Sequence, residues 1–194
     1  MRLMTRCMLV LATALFVAGC AGTKFVRPAD GDLRLGSTTE QQVVASLGKP
    51  YQETNGLSNG KATKTLGYAY ASFGGQAKSA GVTPVHGLTV VFHEGKLVSK
   101  IYMSNLKEDA TDFDDTKVPQ IQIGKTTAAQ VQALMGPPPG EAIYPAVKQP
   151  DGRAMIYQYQ EMRGFTPSNK LLMVVLDRQG VVTDVEYKNQ GNWK

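Results

Sequence analysis

The chain has 194 residues, with 21 Lys and Arg against 16 Asp and Glu, and 42 % of it is apolar. That is enough to pack one ordinary domain or two small ones, and so mild a positive charge argues against nucleic-acid binding. With two cysteines and two histidines in all, the composition writes neither a disulfide framework nor a metal motif.

The opening "MRLMTRCMLVLATALFVAGC" places Arg2 and Arg6 before an apolar run from Cys7 to Ala18, then small residues before Cys20. A run of that length falls short of the roughly 20 residues a bilayer span needs, so residues 1–19 read as an export signal. Val17-Ala18-Gly19-Cys20 resembles the bacterial lipobox, which implies cleavage before Cys20 and diacylglycerol and palmitate on that residue. Several acyl chains anchor stably where one gives only marginal binding. By the sorting rule that this resemblance carries, Ala21 after the cysteine implies the outer membrane, facing the periplasm. Without the signal, 19 basic residues meet 16 acidic ones and Cys20 is the lone cysteine, so no internal disulfide is expected.

Residues 20–32 read as a short tether, and the next stretch carries the strongest signal. "GSTTEQQVVASLGKP" (36–50) returns as "GKTTAAQVQALMGPP" (124–138), with eight identities in fifteen ungapped positions. Thr39 with Gln42, and Thr127 with Gln130, fit the capping box at a helix start. Val43 and Leu47, and Val131, Leu134 and Met135, give an apolar stripe at helical spacing. Gly48 and Gly136 then suit a helix stop, and Pro50 and Pro138 prevent resumption. Each copy therefore predicts a helix of about ten residues.

Strands follow in both copies. "TLGYAYASF" (65–73) and "AMIYQYQEM" (154–162) alternate like half-buried strands, and 88–102 and 171–187 each read as two strands around a turn with Gly95 or Gly180 at its tip. The predicted fold class is α+β: two tandem repeats, 33–102 and 118–194, each a helical segment followed by a three-stranded antiparallel meander. Residues 103–117 read as a solvated acidic linker; Asp112, Asp114 and Asp115 lack the glycine and terminal glutamate of a calcium loop. Residues 74–87 read as a long mobile loop.

Chemical motifs are weak. Gly124-Lys125-Thr126 opens a helix, but a phosphate loop needs a further glycine where Pro119 stands. His93 falls at a turn, opposite Asp177 in the second copy, and no nucleophile elbow is present. No catalytic residue, metal or other cofactor is expected. Alternation puts Tyr68, Tyr70, Tyr157 and Tyr159 against the helices, with Leu88, Val90, Phe92, Leu172, Val174 and Leu176. Thr89, Val91, His93, Gln158, Gln160, Met173, Val175 and Asp177 then line the other sheet face, a candidate protein-binding surface. The alternative is that the two units cover these faces against each other.

Helix, glycine, proline, aromatic strand and hairpin, in that order, resemble the BamE-like (SmpA/OmlA) outer-membrane lipoprotein family. Ser37–Pro50 and Lys125–Pro138 match its signature, although Ser37 and Lys125 stand where the family has glycine. Two such units in tandem also resemble the β-lactamase inhibitory protein architecture, whose paired sheets face a partner. These resemblances imply a non-enzymatic lipoprotein that binds or scaffolds cell-envelope proteins, with the β-barrel assembly machinery as a partner, or alternatively an inhibitor of a periplasmic or extracellular enzyme.

Overall fold

The computed structural model describes residues 22, 24–29, 31–72, 74–191 and 193. The expected signal segment and Cys20 lie outside the described residues. Element order runs α1 (Glu40–Leu47), β1 (Gln52–Ser58), β2 (Lys61–Ala71), β3 (Val85–His93) and β4 (Lys96–Ser104) in the first half. After a 3-10 turn at Asp115–Gln120, the second half runs α2 (Ala128–Met135), β5 (Gly140–Ile143), β6 (Arg153–Arg163), β7 (Thr166–Leu176) and β8 (Val182–Gln190). The fold is α+β, with all eight strands in one antiparallel sheet in sequential order.

Both helices are built as their residues dictate. Thr39 and Thr127 are N-caps in complete capping boxes with Gln42 and Gln130, which satisfies backbone amides that a helix start leaves free. Each helix has eight residues and stops at a glycine with positive φ, Gly48 at 80° and Gly136 at 85°. Tyrosines from the sheet then take up the freed carbonyls: Tyr68 donates to Gly48 O at 3.2 Å and Tyr157 to Gly136 O at 2.9 Å. Before each helix the chain is tied to the sheet alike, Leu97 N donating to Thr38 O and Val182 N to Thr126 O, both at 2.9 Å.

Each half holds four strands, where three were expected. The additions are β1 and β5. β1 is exposed along nearly its whole length, so no apolar alternation betrays it; the Asn59-Gly60 turn, with φ of 48° and 74°, closes it onto β2 as a tight hairpin. β5 is four residues long, and it joins the halves by pairing with β4 through Ser99–Ile101 and with β6 through Arg153–Ile156.

Two cores lie on the helix side of the sheet. One packs Val43 and Leu47 of α1 on Leu66, Tyr68, Leu88, Val90 and Phe92, and it includes Phe25 from the segment expected to be a tether. The other packs Val131 and Met135 of α2 on Tyr157, Leu172, Val174 and Leu176. A third, smaller cluster lies on the opposite face, where Val147 covers Ala142, Ala154, Ile156 and Val175.

Two segments expected to be loose are held. In the connection between the halves, Ser104, Asn105, Leu106, Thr111 and Phe113 are buried. Thr111 Oγ1 donates to Gln158 O at 2.6 Å, and the Asn105 amide donates to Thr83 O and Gln160 O. Residues 105–111 thereby fill the gap that short β5 leaves between β4 and β6. Loop 74–84 is pinned on the same structure: Lys78 N donates to Asn105 O and Thr83 N to Met162 O. The loop expected to be mobile at 74–87 is therefore held, and its residues 85–87 already belong to β3.

Candidate functional site

Strand register decides which residues share a face. Thr65 pairs with Val91 and Val91 with Ser99; Thr89 pairs with Ile101, Ile101 with Gly140, Gly140 with Ile156 and Ile156 with Met173. Residues alternating with these carry the helix-side cores, so this set looks away from both helices. From Thr63 on β2 to Val175 on β7 the middle of that outer face shows Thr, Ser, Ala, Gly, Val, Ile, Leu, Met, Gln, Asn and Pro. Charge borders it, at Lys61, at Lys96 opposite His93, and on β8, where Asp184, Glu186 and Lys188 lie opposite Val175, Met173 and Leu171. The Gln amides are neutral donors and acceptors, suited to hydrogen bonding without a charge to desolvate.

Most of the residues named from alternation lie on this face, but they do not form one patch. Thr89 is exposed, and Val91, Gln158, Gln160 and Met173 are half-buried. Val175 is buried under Val147 and its neighbours, so it is not available to a partner; loop 144–150, whose cover the alternation could not show, is the cause. His93 sits at the far end of β3 and its Nδ1 lies 2.9 Å from Ala62 O. Asp177 is a turn residue: its Oδ1 accepts from Gln179 N and Val181 N, both at 2.9 Å. Ile101, Met103 and Leu171, also half-buried on the open part, were missed. For Ile101 and Met103 the signal is the same period-two alternation, interrupted by the bulge of β4 opposite Val91/Phe92; Leu171 alternates regularly with Met173 and Val175 on β7 and was legible from them.

The helix side offers a different environment. A cleft of about 590 Å³ opens between the halves, lined among others by Arg27, Lys100, Tyr102, Asp109, Glu141 and Tyr157. Lys100 and Arg153 pair with Glu141 at 3.5 and 3.6 Å, and the Arg27 guanidinium lies 4.6 Å from the centre of the Tyr102 ring. Tyr102 donates to Asp109 Oδ2 at 2.7 Å and Ser104 to Asp109 Oδ1 at 2.5 Å. Burial, followed by the bond to Asp109, pushes the Tyr102 phenol far up, and burial lowers His86 despite the nearby Asp109 and Glu108 charges.

Those shifts bear on chemistry. Ser104 is wholly buried and its hydroxyl hydrogen is committed to Asp109, so it is not presented to the cleft as a nucleophile. Tyr102, protonated and bound to a carboxylate, is a structural donor. His86 lies 3.3 Å by Nδ1 from the Tyr102 hydroxyl and packs against Phe25, with ring centres 4.8 Å apart. The Tyr102 hydroxyl beside it and the Ser104 hydroxyl are both committed to Asp109, whereas acyl transfer requires a nucleophile paired with its base. Among the described residues no three His, Cys, Asp or Glu side chains group to hold a metal ion, and no helix is long and apolar enough to cross a membrane.

No family model matches the chain, and no curated protein matches it in sequence. Among solved structures it is similar to a Streptococcus mutans protein described provisionally as a β-lactamase inhibitor, at 10 % identity and a TM-score of 0.41, over 79 % of this chain and 83 % of that one.

Proposed function

We propose that the protein acts by binding another protein on the open part of its outer sheet face, as a lipoprotein of the bacterial envelope anchored through Cys20, and not by catalysis. The observation that supports this is the uncharged stretch across six strands. Interface cores are depleted in charge, and an exposed apolar area in an otherwise well-charged protein marks a contact surface. Thr89, Ile101, Met103, Gln158, Leu171 and Met173 supply it, from both halves. The partner suited to this face is a folded protein presenting a neutral, apolar ridge. On this reading the two halves are tandem copies of one helix-and-meander unit, and the shared caps, tyrosine contacts and sheet ties support a common origin. The outer membrane, facing the periplasm, is the proposed location.

Crosslinking in cells, followed by mass spectrometry, tests the reading. Thr89→Arg and Gln158→Arg each put a charge on the face and should abolish partner recovery. Exposed Thr89→Arg should leave the melting temperature nearly unchanged, because surface substitutions cost about 0.5 kcal/mol or less, and half-buried Gln158→Arg should lower it modestly while keeping the fold. Undiminished recovery with both variants refutes the face as the site. Recovery of membrane-assembly proteins that depends on Cys20 supports an envelope scaffold. Recovery of a soluble exported hydrolase with or without Cys20 replaces that with an inhibitor.

A further inference from the structure

Antiparallel order places the end of β2, the start of β3, the end of β4, the β6–β7 turn and the end of β8 at one end of the sheet. The amino-terminal segment arrives at that same end. Gly22 forms a bridge with Tyr70 near the end of β2, Phe25 is buried against Tyr68 and His86, and Arg27 stacks on Tyr102. Cys20 is two residues from Gly22, and two extended residues reach at most about 7 Å. A lipid on Cys20 therefore leaves the folded body almost no slack from the membrane.

Two of the most exposed large apolar side chains stand at this end. Val26, between Phe25 and Arg27, is 81 % exposed, and Phe165 is fully exposed at 103 %. Phe165 occupies the second position of the two-residue turn between β6 and β7, after Gly164, whose φ of 59° suits the first. Direct contacts hold this turn beside the amino-terminal end. Loop 74–84 leaves β2 just past Tyr70, and its Ala80 carbonyl accepts from Arg163 at 2.6 Å, one residue before the turn. In contrast Leu57, 77 % exposed, lies at the opposite end of β2, where the Ser58–Asn59 tip bonds to Pro145 O.

We propose that the end of the sheet bearing Gly22, Val26 and the Gly164-Phe165 turn lies on the bilayer, with the Phe165 ring in its interfacial layer. This rests on the lipid-anchor reading above and adds an orientation to it. An aromatic ring at a rigid hairpin tip is suited to the headgroup level, and an acyl anchor gains stability from a second membrane contact. The outer sheet face then stands roughly upright on the membrane, open to partners alongside.

The full chain, expressed in a Gram-negative host and purified from its membranes, is reconstituted in phosphatidylethanolamine and phosphatidylglycerol vesicles. In a Trp193→Phe background, which removes the one native tryptophan, Phe165→Trp or Leu57→Trp serves as the reporter. Lipids brominated near the top of the acyl chain should quench Phe165→Trp by about half or more, at the depth of about 5–10 Å reached by interfacial apolar groups, and should leave Leu57→Trp unchanged. Equal, weak quenching of both reporters in protein whose intact mass carries the lipid overturns the orientation alone. An intact mass without lipid on Cys20 overturns the anchor reading, and this proposal with it.

Discussion

Lys170 offers the sharpest energetic test of how the connection between the halves is held. Its Nζ is nearly buried on the helix side of β7, donates to Phe113 O at 2.6 Å and lies 2.6 Å from Asp112 Oδ1. The rings of Phe113, Tyr159 and Trp193 surround it, with centroids 4.8, 5.8 and 5.4 Å away. Removing one member of a buried ion pair costs about 3–5 kcal/mol, because the other charge is left uncompensated. Asp112 retains Lys78 at 2.5 Å, so Lys170→Ala should fall near the lower end, about 3 kcal/mol. For a domain of this size that lowers the melting temperature by about 6–12 °C. Lys170→Met keeps most of the stem and should cost about 2 kcal/mol through the unpaired Phe113 carbonyl and carboxylate. Adding Asp112→Asn should recover part of that loss, since removing both charges is milder than removing one. Urea titration followed by the fluorescence of Trp193, which stacks on Tyr159, gives all three values. A cost below about 1 kcal/mol for Lys170→Ala would place this pair with ordinary surface pairs and refute the claim that it secures the connection.

The same cluster sets the acid response. Burial alone would raise Asp112, but the bonds and charges of Lys170 and Lys78 outweigh it and hold the carboxyl below 3.8; the Tyr187 hydroxyl, then Lys170, does the same for Asp115. Folded pKa values below the unfolded ones mean a stabilisation that is whole above about pH 4 and is lost as pH falls through the folded values. Melting temperature should therefore drop steeply below about pH 4, and less steeply in Asp112→Asn; identical slopes would exclude Asp112 as a source. Tyr68→Phe and Tyr157→Phe each remove one bond to a helix-terminal glycine and should cost about 1 kcal/mol. Thr39→Ala and Thr127→Ala should likewise cost about 1 kcal/mol each by urea titration. The two cap losses should add, because the sites share no contact.

Legibility in the sequence followed the range of the interactions. The helices were readable because a capping box and a glycine stop are satisfied within a dozen residues, and the inward set from Leu88 to Leu176 because burial of one face imposes a period of two. β1 was unreadable for the converse reason: "QETNGLS" is an edge strand without a buried face, and it forms because β2 offers it backbone partners. β5 is too short to show a period, and its place is set by two neighbours. Phe113 sat in what looked like an acidic linker, because its burial depends on Lys170, 57 residues away. The cover over Val175 depends likewise on Val147, whose loop also receives bonds from the first half through Ser58 and Asn59.

The charges of the central strands explain why the open part of their outer face can be neutral. Lys64, Lys100, Glu161 and Lys170 all point to the helix side, where Lys64 meets Glu40, Lys100 meets Glu141, Glu161 meets Arg163 and Lys170 meets Asp112. Glu161 is 3 % exposed and also accepts from Ser79 at 2.5 Å and Tyr159 at 3.0 Å. Apolar residues of equal volume would often be as stable at such sites. What the two buried charges, Glu161 and Lys170, add is selectivity over docking, because a segment shifted out of place strands a buried ion at a cost of about 3–5 kcal/mol; the part-exposed Lys64–Glu40 pair contributes far less. Glu161 holds loop 74–84, Lys170 holds the connection and Lys64 holds α1. With the irregular segments fixed from the helix side, the opposite face needs no charge for its own stability. Neutral residues there carry no repulsion and little desolvation cost against an apolar partner, so a single introduced arginine should be felt more by binding than by folding.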